Sequence, residues 1–253
     1  MNSNQRLDRF KNLTFDDFRT MAKDSSLSEY EKIGFPDSYR EGKGELIFSD
    51  IRQKLTNLER PGQVVLDIGP GCSQLPRLMI DLCRTKGHTL ILVDAEEMLA
   101  LLPDEPFIKK VPAYYPNECA QLFTEYLAGV DVILAYSVFQ IVFAEGNPYH
   151  FVDKTLSLMA HRAQWLMGDI PSYSKRQRFF SSPEGVRFHQ QTMLTDDLPS
   201  VTFNALHEGE IDDSVLLSLM LRCRIAGFDS YLIPQNDALP MSNRREDLLV
   251  VKP

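Results

Sequence analysis

Cysteine is scarce in this chain, and its spacing excludes two kinds of small-domain scaffold. The 253 residues include four cysteines, and no two of them form a Cys-x-x-Cys pair. The sequence therefore indicates neither a zinc knuckle nor a disulfide framework. We expect reduced thiols and no bound metal ion. The cysteines are Cys72, Cys83, Cys119 and Cys223.

Long apolar runs and an excess of positive charge are also absent. The opening residues, MNSNQRLDRFKNLTF, contain no apolar core of the length found in signal peptides. No later run approaches the roughly 18 apolar residues that a membrane span requires. The formal net charge of −8 opposes attraction to nucleic acid or to an anionic membrane. The sequence therefore predicts a cytoplasmic protein that binds neither nucleic acid nor membrane.

What the chain does contain, after residue 60, is an alternation of strand and helix patterns. Seven short aliphatic runs predict strands, and amphipathic stretches between the first six predict helices. This alternation indicates a mainly parallel sheet with helices on both faces. The predicted strands are Gln63 to Ile68, Thr89 to Asp94, Phe107 to Pro112, Val130 to Ala135, Gln164 to Asp169, Ser230 to Pro234 and Asp247 to Lys252. The predicted helices are Leu75 to Cys83, Glu96 to Leu102, Asn117 to Leu127, His150 to Ala160 and Asp213 to Ala226.

The last two predicted strands are joined differently from the others. Only the polar segment QNDALPMSNRRE separates them, whereas a parallel pair needs a crossover of about a dozen residues or more, usually a helix. We therefore expect the last strand to run antiparallel to the rest of the sheet. No internal repeat interrupts the pattern, which favours one compact domain that spans residues 61–253.

The residues before the first strand, 1–60, predict an N-terminal helical cap. Two or three helical stretches are broken at Gly34-Phe35-Pro36. The segment FPDSYREGKGE at this break combines aromatic residues, cations and two glycines just before a helix, a composition suited to a lid that orders on binding. We expect Phe35 to Lys43 to close over a ligand, with a surface connector as the alternative.

The first predicted strand ends in an acid and enters a glycine turn. Asp67 ends the strand, and Gly69-Pro70-Gly71 precedes a helix. Glycines at such a turn let the backbone approach a ligand above the carboxyl edge of the sheet. A dinucleotide site would have a third glycine where this chain has Gln74. The second strand ends at Asp94, about 20 residues after the turn, where an acid accepts hydrogen bonds from a ribose.

Three motifs resemble those of class I S-adenosylmethionine-dependent methyltransferases. VLDIGPG is similar to the first motif of this family, VDAEEML to the second and DVILAYSVFQIV to that of the fourth strand. An antiparallel seventh strand is also a hallmark of the family. The resemblance covers Val64 to Pro253. It implies an α/β, Rossmann-like fold with a seven-stranded sheet, mainly parallel with an antiparallel last strand, helices on both faces and the N-terminal helical cap.

The resemblance also implies S-adenosylmethionine as the cofactor. The glycine turn would form the floor under its methionine part, Asp94 would bind the ribose hydroxyls, and Met98 would flank the adenine. The chain departs from the family after the third strand, where VPAYYPN replaces an acidic residue that meets the adenine amino group. Tyr114 or Tyr115 would stack there instead. The expected cofactor-binding residues are Asp67, Gly69, Pro70, Gly71, Asp94, Ala95, Met98, Tyr114 and Tyr136.

Acceptor-side residues are expected where the fourth and fifth strands end and in the loops after them. Asp169 in MGDIP is the first candidate for a base, with a helix cap or turn as its alternative role. His150 and His189 come next, and packed or surface histidines are the alternative. The insertion after the fifth strand would meet an anionic acceptor, or else form a solvated loop. The expected acceptor-binding residues are Gln140, Tyr173, Arg176 and Arg178.

These features favour methyl transfer to a small-molecule acceptor, an anionic or sugar-like hydroxyl or amine. Transfer from a sulfonium needs alignment and exclusion of water more than a catalytic nucleophile. A cofactor-binding subunit without turnover and protein methylation stay open. A nicotinamide-dependent oxidoreductase is opposed by the missing third glycine and the antiparallel strand. The chain also lacks an Asn-Pro-Pro-Tyr-type motif after the fourth strand, which disfavours methylation of DNA bases.

Overall fold

A seven-stranded sheet forms the centre of the structure, a computed structural model that describes residue 10, residues 13–205 and residues 207–253. The strands are β1 (Val64–Ile68), β2 (Thr89–Asp94), β3 (Ile108–Pro112), β4 (Val130–Tyr136), β5 (Met159–Pro171), β6 (Asp229–Ile233) and β7 (Arg245–Val251). Their order is β3-β2-β1-β4-β5-β7-β6. Strand β7 is antiparallel to both β5 and β6, and the other pairs are parallel. The predicted α/β, Rossmann-like architecture is confirmed.

Helices precede the sheet and cover both of its faces. The helices before β1 are α1 (Phe15–Lys23), α2 (Glu29–Lys32), α3 (Asp37–Arg40) and α4 (Gly44–Lys54), followed by a 3-10 turn (Thr56–Glu59). The helices between strands are α5 (Gln74–Lys86), α6 (Glu96–Leu99), α7 (Ala120–Glu125), α8 (Phe139–Glu145), α9 (Pro148–Leu158), α10 (Tyr173–Phe180), α11 (Pro183–Met193) and α12 (Asp213–Ile225). A second 3-10 turn (Ser242–Arg244) leads into β7.

The core consists of two apolar layers, one on each face of the sheet. The strands are almost continuous apolar runs because both of their faces are covered. On one face, Phe139 and Phe151 from α8 and α9 pack with Trp165 of β5. On the other face, Ile51 of α4 packs with Met79 of α5. These side chains are at most 1% exposed, so the sheet that positions the carboxyl-edge residues is held rigidly.

The residues predicted as the N-terminal cap have two different positions. Helix α4 packs against α5 as part of a core layer. The 3-10 turn after it is tied to the sheet, because Asn57 Nδ2 donates to Arg162 O at 2.9 Å and Asn57 N donates to Gln164 Oε1 at 2.8 Å. Helices α1 to α3 lie instead over the carboxyl edge of the strands. The predicted lid, Phe35 to Lys43, belongs to the part of the cap that lies over this edge, and its closure stays a prediction.

The insertion after β5 is helical over Tyr173–Phe180 and Pro183–Met193, so the alternative of a loop is wrong for these residues. Serine caps begin both of its helices: Ser172 Oγ accepts from Lys175 N at 3.2 Å, and Ser182 Oγ accepts from Gly185 N at 3.1 Å. Such caps satisfy backbone N–H groups that have no partner within the helix. A smaller difference lies before β5, where the predicted helix ends at Leu158 because the strand already begins at Met159.

Candidate active site

The turn after β1 lies at a cavity at the carboxyl edge of the sheet and lines it with the main chain of two glycines. Gly69 and Gly71 have φ angles of +66° and +67°, in the left-handed region that favours glycine. A Cβ at Gly69 would lie 2.6 Å from Val138 Cγ2, and one at Gly71 would lie 2.6 Å from Ile33 Cγ2. The turn therefore requires glycine for its conformation and for its space.

Asp94, at the end of β2, connects the second strand to this turn. Its Oδ2 accepts a hydrogen bond from Gly71 N at 3.0 Å, and its Oδ1 accepts one from Ala95 N at 2.7 Å. Each carboxylate oxygen keeps a further lone pair, and Asp94 lines the cavity. Burial raises the pKa of Asp94 to about 6, although the two backbone donors oppose the shift. Above that pH its carboxylate can accept hydrogen bonds from two ligand hydroxyls.

Asp67 lies behind the turn and does not line the cavity. Its side chain is buried. Burial, together with the nearby Asp94, raises the pKa of Asp67 to about 8. Its carboxyl is therefore largely protonated at neutral pH and can act as a hydrogen-bond donor.

The cavity is roofed by the N-terminal helices. Phe15 of α1 packs edge-on against Tyr114, which follows β3, with ring centroids 5.0 Å apart. Within the described residues, Asp94 and Arg40 are the charged groups of the lining, and most other lining side chains are apolar or aromatic. A ligand in this cavity would be shielded from water on the cap side. The cap residues that line it are Phe15, Phe18, Tyr30, Ile33, Phe35, Arg40, Gly44 and Ile47.

Arg40, at the end of α3, reaches from the cap to the ends of β4 and β5. Its Nη2 lies 2.5 Å from Asp169 Oδ2 and 2.9 Å from Ser137 Oγ. Its guanidinium lies 4.1 Å from the centre of the Phe35 ring. The side chains of Arg40 and Asp169 are 6% and 1% exposed, so this ion pair is shielded from solvent. Arg40 Nε is buried and has no hydrogen-bond partner within the described residues.

Ser137 and Asp169 share an unusual backbone conformation at this edge. Their φ angles are +60° and +57°, which costs a residue other than glycine of order 1 kcal/mol or more. Ser137 Oγ donates to Asp169 Oδ2 at 2.5 Å, and Asp169 N donates to Asp247 Oδ1 at 2.8 Å. Such strain persists only where the surrounding contacts over-determine the position. The ends of β4 and β5 are thus held in one fixed arrangement beneath Arg40.

Solved structures with the same architecture identify the fold. The chain is similar to the plantazolicin methyltransferase BpumL, crystallised with SAH and a triazolic desmethylPZN analogue. The TM-score is 0.56 at 14% identity, over 97% of this chain and 99% of that one. The fold is that of the class I S-adenosylmethionine-dependent methyltransferases.

Other structures with this methyltransferase fold are equally distant in sequence. A phosphoethanolamine N-methyltransferase 2 of Haemonchus contortus gives a TM-score of 0.56 at 12% identity, over 96% of this chain and 61% of that one. A methyltransferase-like protein of Methanococcus maripaludis gives a TM-score of 0.52 at 14% identity, over 96% of this chain and 94% of that one. No family model and no curated protein sequence matches the chain.

Most residues predicted to bind the cofactor of this methyltransferase fold converge on the cavity. Asp67 and Ala95 are the exceptions, because they lie behind its wall. Tyr115, the alternative to Tyr114, also lines it. The convergence is a fact of the structure, and the role of each residue toward a cofactor stays a prediction. The predicted residues that line the cavity are Gly69, Pro70, Gly71, Asp94, Met98, Tyr114 and Tyr136.

The two predicted catalytic residues lie outside the cavity wall. Burial opposes ionisation of Asp169, but Arg40 and Arg245 outweigh it and hold the pKa of this carboxyl below its ordinary value. A carboxylate held by two cations is a weak base, so the structure places Asp169 as a partner of Arg40. His189 packs edge-on against Phe180, with ring centres 6.2 Å apart, and does not line the cavity. His150 is exposed on α9.

The predicted acceptor-binding residues also lie outside this cavity. Gln140 Nε2 donates to Ser137 O at 2.6 Å. Tyr173 contacts His207 in a second, polar cavity, with its hydroxyl 3.0 Å from Nε2. Arg178, which lines the same second cavity, is paired with an acid, whereas Arg176 is exposed over a ring of α10. The insertion is therefore beside the site and does not form its wall.

Sequence reasoning missed most of the roof of the cavity. Phe15 and Phe18 lie on one face of α1, which Thr14 caps with its side chain. Their spacing indicates a buried helix face, but not the surface that this face covers. Arg40 falls within the predicted lid segment, yet nothing in that segment indicates its ion pair with Asp169. The signal that was present is the combination of aromatic residues with a cation in FPDSYR.

The part of the chain that the structure describes contains no group of three or more His, Cys, Asp or Glu side chains that could hold a metal ion. Its helices are all too short or too polar to cross a membrane. The four cysteines are free and buried.

Proposed function

We propose that the chain is an S-adenosylmethionine-dependent methyltransferase that acts on a small-molecule acceptor. The observation that carries this proposal is the cavity where the bare backbone of Gly69 and Gly71 meets the carboxylate of Asp94. Neighbours in fold support it: BpumL was crystallised with SAH, and the Haemonchus contortus enzyme with S-adenosylhomocysteine and phosphomonomethylethanolamine.

The described residues fit this cofactor. Gly69 and Gly71 line the cavity without side chains of their own, so the turn would hold the methionine part once Ile33 moves off Gly71. The free lone pairs of Asp94 match the two ribose hydroxyls. Met98 and Tyr114 would enclose the adenine. When bound, S-adenosylmethionine would supply a methyl group on a positively charged sulfur, which leaves readily as a thioether.

The cap would order the site and exclude water. Ile33 packs directly on Gly71, and Cys72 Sγ lies 3.9 Å from the carbonyl oxygen of Glu29 on α2. With Ile33 in this position, a cofactor can reach the backbone of Gly71 only when Ile33 moves away from the turn. We infer that α1 to α3 open and then close over the bound cofactor, which aligns the reacting groups in a water-poor cavity.

Alignment would dominate the chemistry, because no free base lines the cavity within the described residues. Asp94 is the carboxylate of the lining, and it already accepts two backbone hydrogen bonds. Burial, with Asp169 nearby, raises the pKa of Tyr136 well above its ordinary value, so its hydroxyl stays protonated. We therefore favour an amine or an already ionised oxygen as the acceptor atom over a neutral hydroxyl that needs a base.

The same absence of a base favours, as a second candidate, a subunit that binds the cofactor without turnover. Incubation with methyl-labelled S-adenosylmethionine and a panel of anionic amines, carboxylates, phosphates and sugars separates the two. We expect label transfer to at least one acceptor, with loss of transfer in Gly71→Val. Binding of S-adenosylhomocysteine without transfer to any acceptor would favour the second candidate, and absence of binding would contradict both.

A further inference from the structure

The cations around the insertion after β5 fall into two groups. One group has carboxylate partners that neutralise it. The other group, Arg176 on α10 and Arg244 before β7, has no carboxylate partner within the described ranges 13–205 and 207–253. The neutralised cations are Lys175 with Glu246 at 3.4 Å, Arg178 with Asp213 at 2.5 Å and Arg187 with Glu184 at 2.9 Å.

Two aromatic rings that pack on each other each carry one of these cations. Arg176 Cζ lies 5.6 Å from the centre of the Phe180 ring, and Arg244 Cζ lies 6.0 Å from that of Phe188. The two rings are 6.3 Å apart, and α10 packs directly on the 3-10 turn that ends at Arg244. Each ring face attracts its guanidinium, so both cations lie over one aromatic surface.

Arg244 is an unusual cation because it is half-buried without a counter-charge. Burial lowers the pKa of Arg244, Arg245 and Arg176 lower it further, and Tyr39 of the cap opposes them. Like charges at short range destabilise one another. A bound anion would relieve this repulsion.

The position of this cluster relates it to the cavity. Ser172 N donates to Arg244 O at 3.0 Å, which fixes the turn beside the end of β5. Arg245 Nε lies 3.7 Å from Asp169 Oδ1, and Asp169 in turn pairs with Arg40 of the cavity lining. Two ion pairs, Arg245 with Asp169 and Asp169 with Arg40, therefore connect the cluster to the cavity lining on its β5 side.

We propose that Arg176 and Arg244 form an anion site that holds a carboxylate or phosphate group of the methyl acceptor. The inference rests on the proposed methyltransferase function and names the chemical class of its substrate. Guanidinium groups bind such oxyanions through charge-assisted, often bidentate, hydrogen bonds. Arg178, which the sequence suggests for this role, is already neutralised by Asp213. Arg244 takes its place.

Calorimetry with inorganic pyrophosphate and with citrate, at constant ionic strength, tests the site without knowledge of the acceptor. We expect the wild-type protein to bind at least one of them. Arg176→Gln and Arg244→Gln should each weaken this binding by about tenfold, as expected for one charge-assisted contact. Arg187→Gln, in the same insertion and paired with Glu184, is the matched control and should keep the wild-type affinity.

The proposal is overturned if the wild type binds neither anion, or if Arg187→Gln weakens binding as much as the other two variants. Titration of the same proteins with S-adenosylhomocysteine separates this proposal from the proposed function. Unchanged cofactor affinity with loss of anion binding supports the site. Arginine-dependent anion binding in a protein that does not bind S-adenosylhomocysteine keeps the anion site and overturns the methyltransferase function. Preference for pyrophosphate indicates a phosphate, and preference for citrate a carboxylate.

Discussion

Replacing Arg40 with glutamine should destabilise the fold by leaving Asp169 without its main counter-charge. The two side chains are 6% and 1% exposed and lie 2.5 Å apart. Removing one partner of a buried ion pair costs about 3–5 kcal/mol, because the other charge stays buried and uncompensated. Asp169 would keep Arg245 at 3.7 Å and the hydroxyl of Ser137. Because these contacts remain, we expect the free energy of unfolding to fall by about 3 kcal/mol, the lower end of that range.

Urea unfolding of Arg40→Gln, Asp169→Asn and the double variant measures this loss. Asparagine tolerates the φ of +57° at position 169, so Asp169→Asn removes the charge without changing the backbone conformation. The double variant should be more stable than the sum of the single losses predicts, by about 2 kcal/mol. The control is Arg222→Gln, whose pair with Asp153 is also 2.5 Å long but about half exposed. It should cost about 1 kcal/mol or less.

The pH dependence of the same loss gives an independent check. In the wild type, the lowered pKa of Asp169 contributes stability above the unfolded value of about 3.9, which is lost as the pH falls toward the folded pKa. In Arg40→Gln, burial without the guanidinium should raise that pKa. Asp169 then becomes protonated at a higher pH, and the free-energy cost of its unpaired charge disappears. The stability gap between the two proteins should therefore narrow below about pH 5. A constant gap, or equal losses for Arg40→Gln and Arg222→Gln, would refute the reasoning.

Three further predictions concern the cofactor side. Gly71→Val should abolish binding of S-adenosylhomocysteine in calorimetry, because a branched side chain would strain the turn at its φ of +67° and fill the space of the ligand above it; near wild-type affinity would contradict the close approach. The affinity should fall as the pH decreases through about 6, where Asp94 protonates, and Asp94→Asn should flatten that profile. Trypsin should cut after Lys43 more slowly with S-adenosylhomocysteine bound, while cleavage at exposed Arg187 stays constant; equal rates at Lys43 in both states would count against a lid.

The sheet and the glycine turn could be predicted because their determinants are local. A left-handed turn directly after a strand favours glycine, which makes Gly69 and Gly71 visible in the sequence. Asp94 follows at the end of the next strand, and parallel neighbours bring their carboxyl ends to one edge. The short polar link before β7 likewise indicates an antiparallel strand without knowledge of the rest of the chain.

The acceptor side could not be predicted in the same way, because its contacts depend on how the cap docks. Arg40 and Asp169 are 129 residues apart, and no local pattern relates them. Asp169 was a reasonable candidate base from its position at the end of β5, but the cation that holds it comes from α3. The pairing of Arg178 with Asp213, which is 35 residues away, likewise depends on the packing of α10 beside α12.

The helices after β5 are a different case, since their signals were present in the sequence. Ser172 precedes the first helix, and Ser182-Pro183 begins the second with a cap and a proline in the first turn. These are recognised helix starts. The polar and basic composition between them favoured a loop instead. Amphipathic helices on a protein surface have the same composition, so the capping residues were the better guide.

Titration of the wild-type protein and Asp94→Ala with S-adenosylhomocysteine tests the central claim most directly. The claim is that the cavity between the glycine turn and the cap binds the cofactor through Asp94. Loss of the two acceptor oxygens should raise the Kd by about ten- to a hundredfold, or about 1.5–3 kcal/mol. Asp104→Ala, an exposed acid outside the cavity, should bind as the wild type does, and NAD should bind to none of the three. Wild-type affinity in Asp94→Ala, or preference for NAD over S-adenosylhomocysteine, would contradict the assignment.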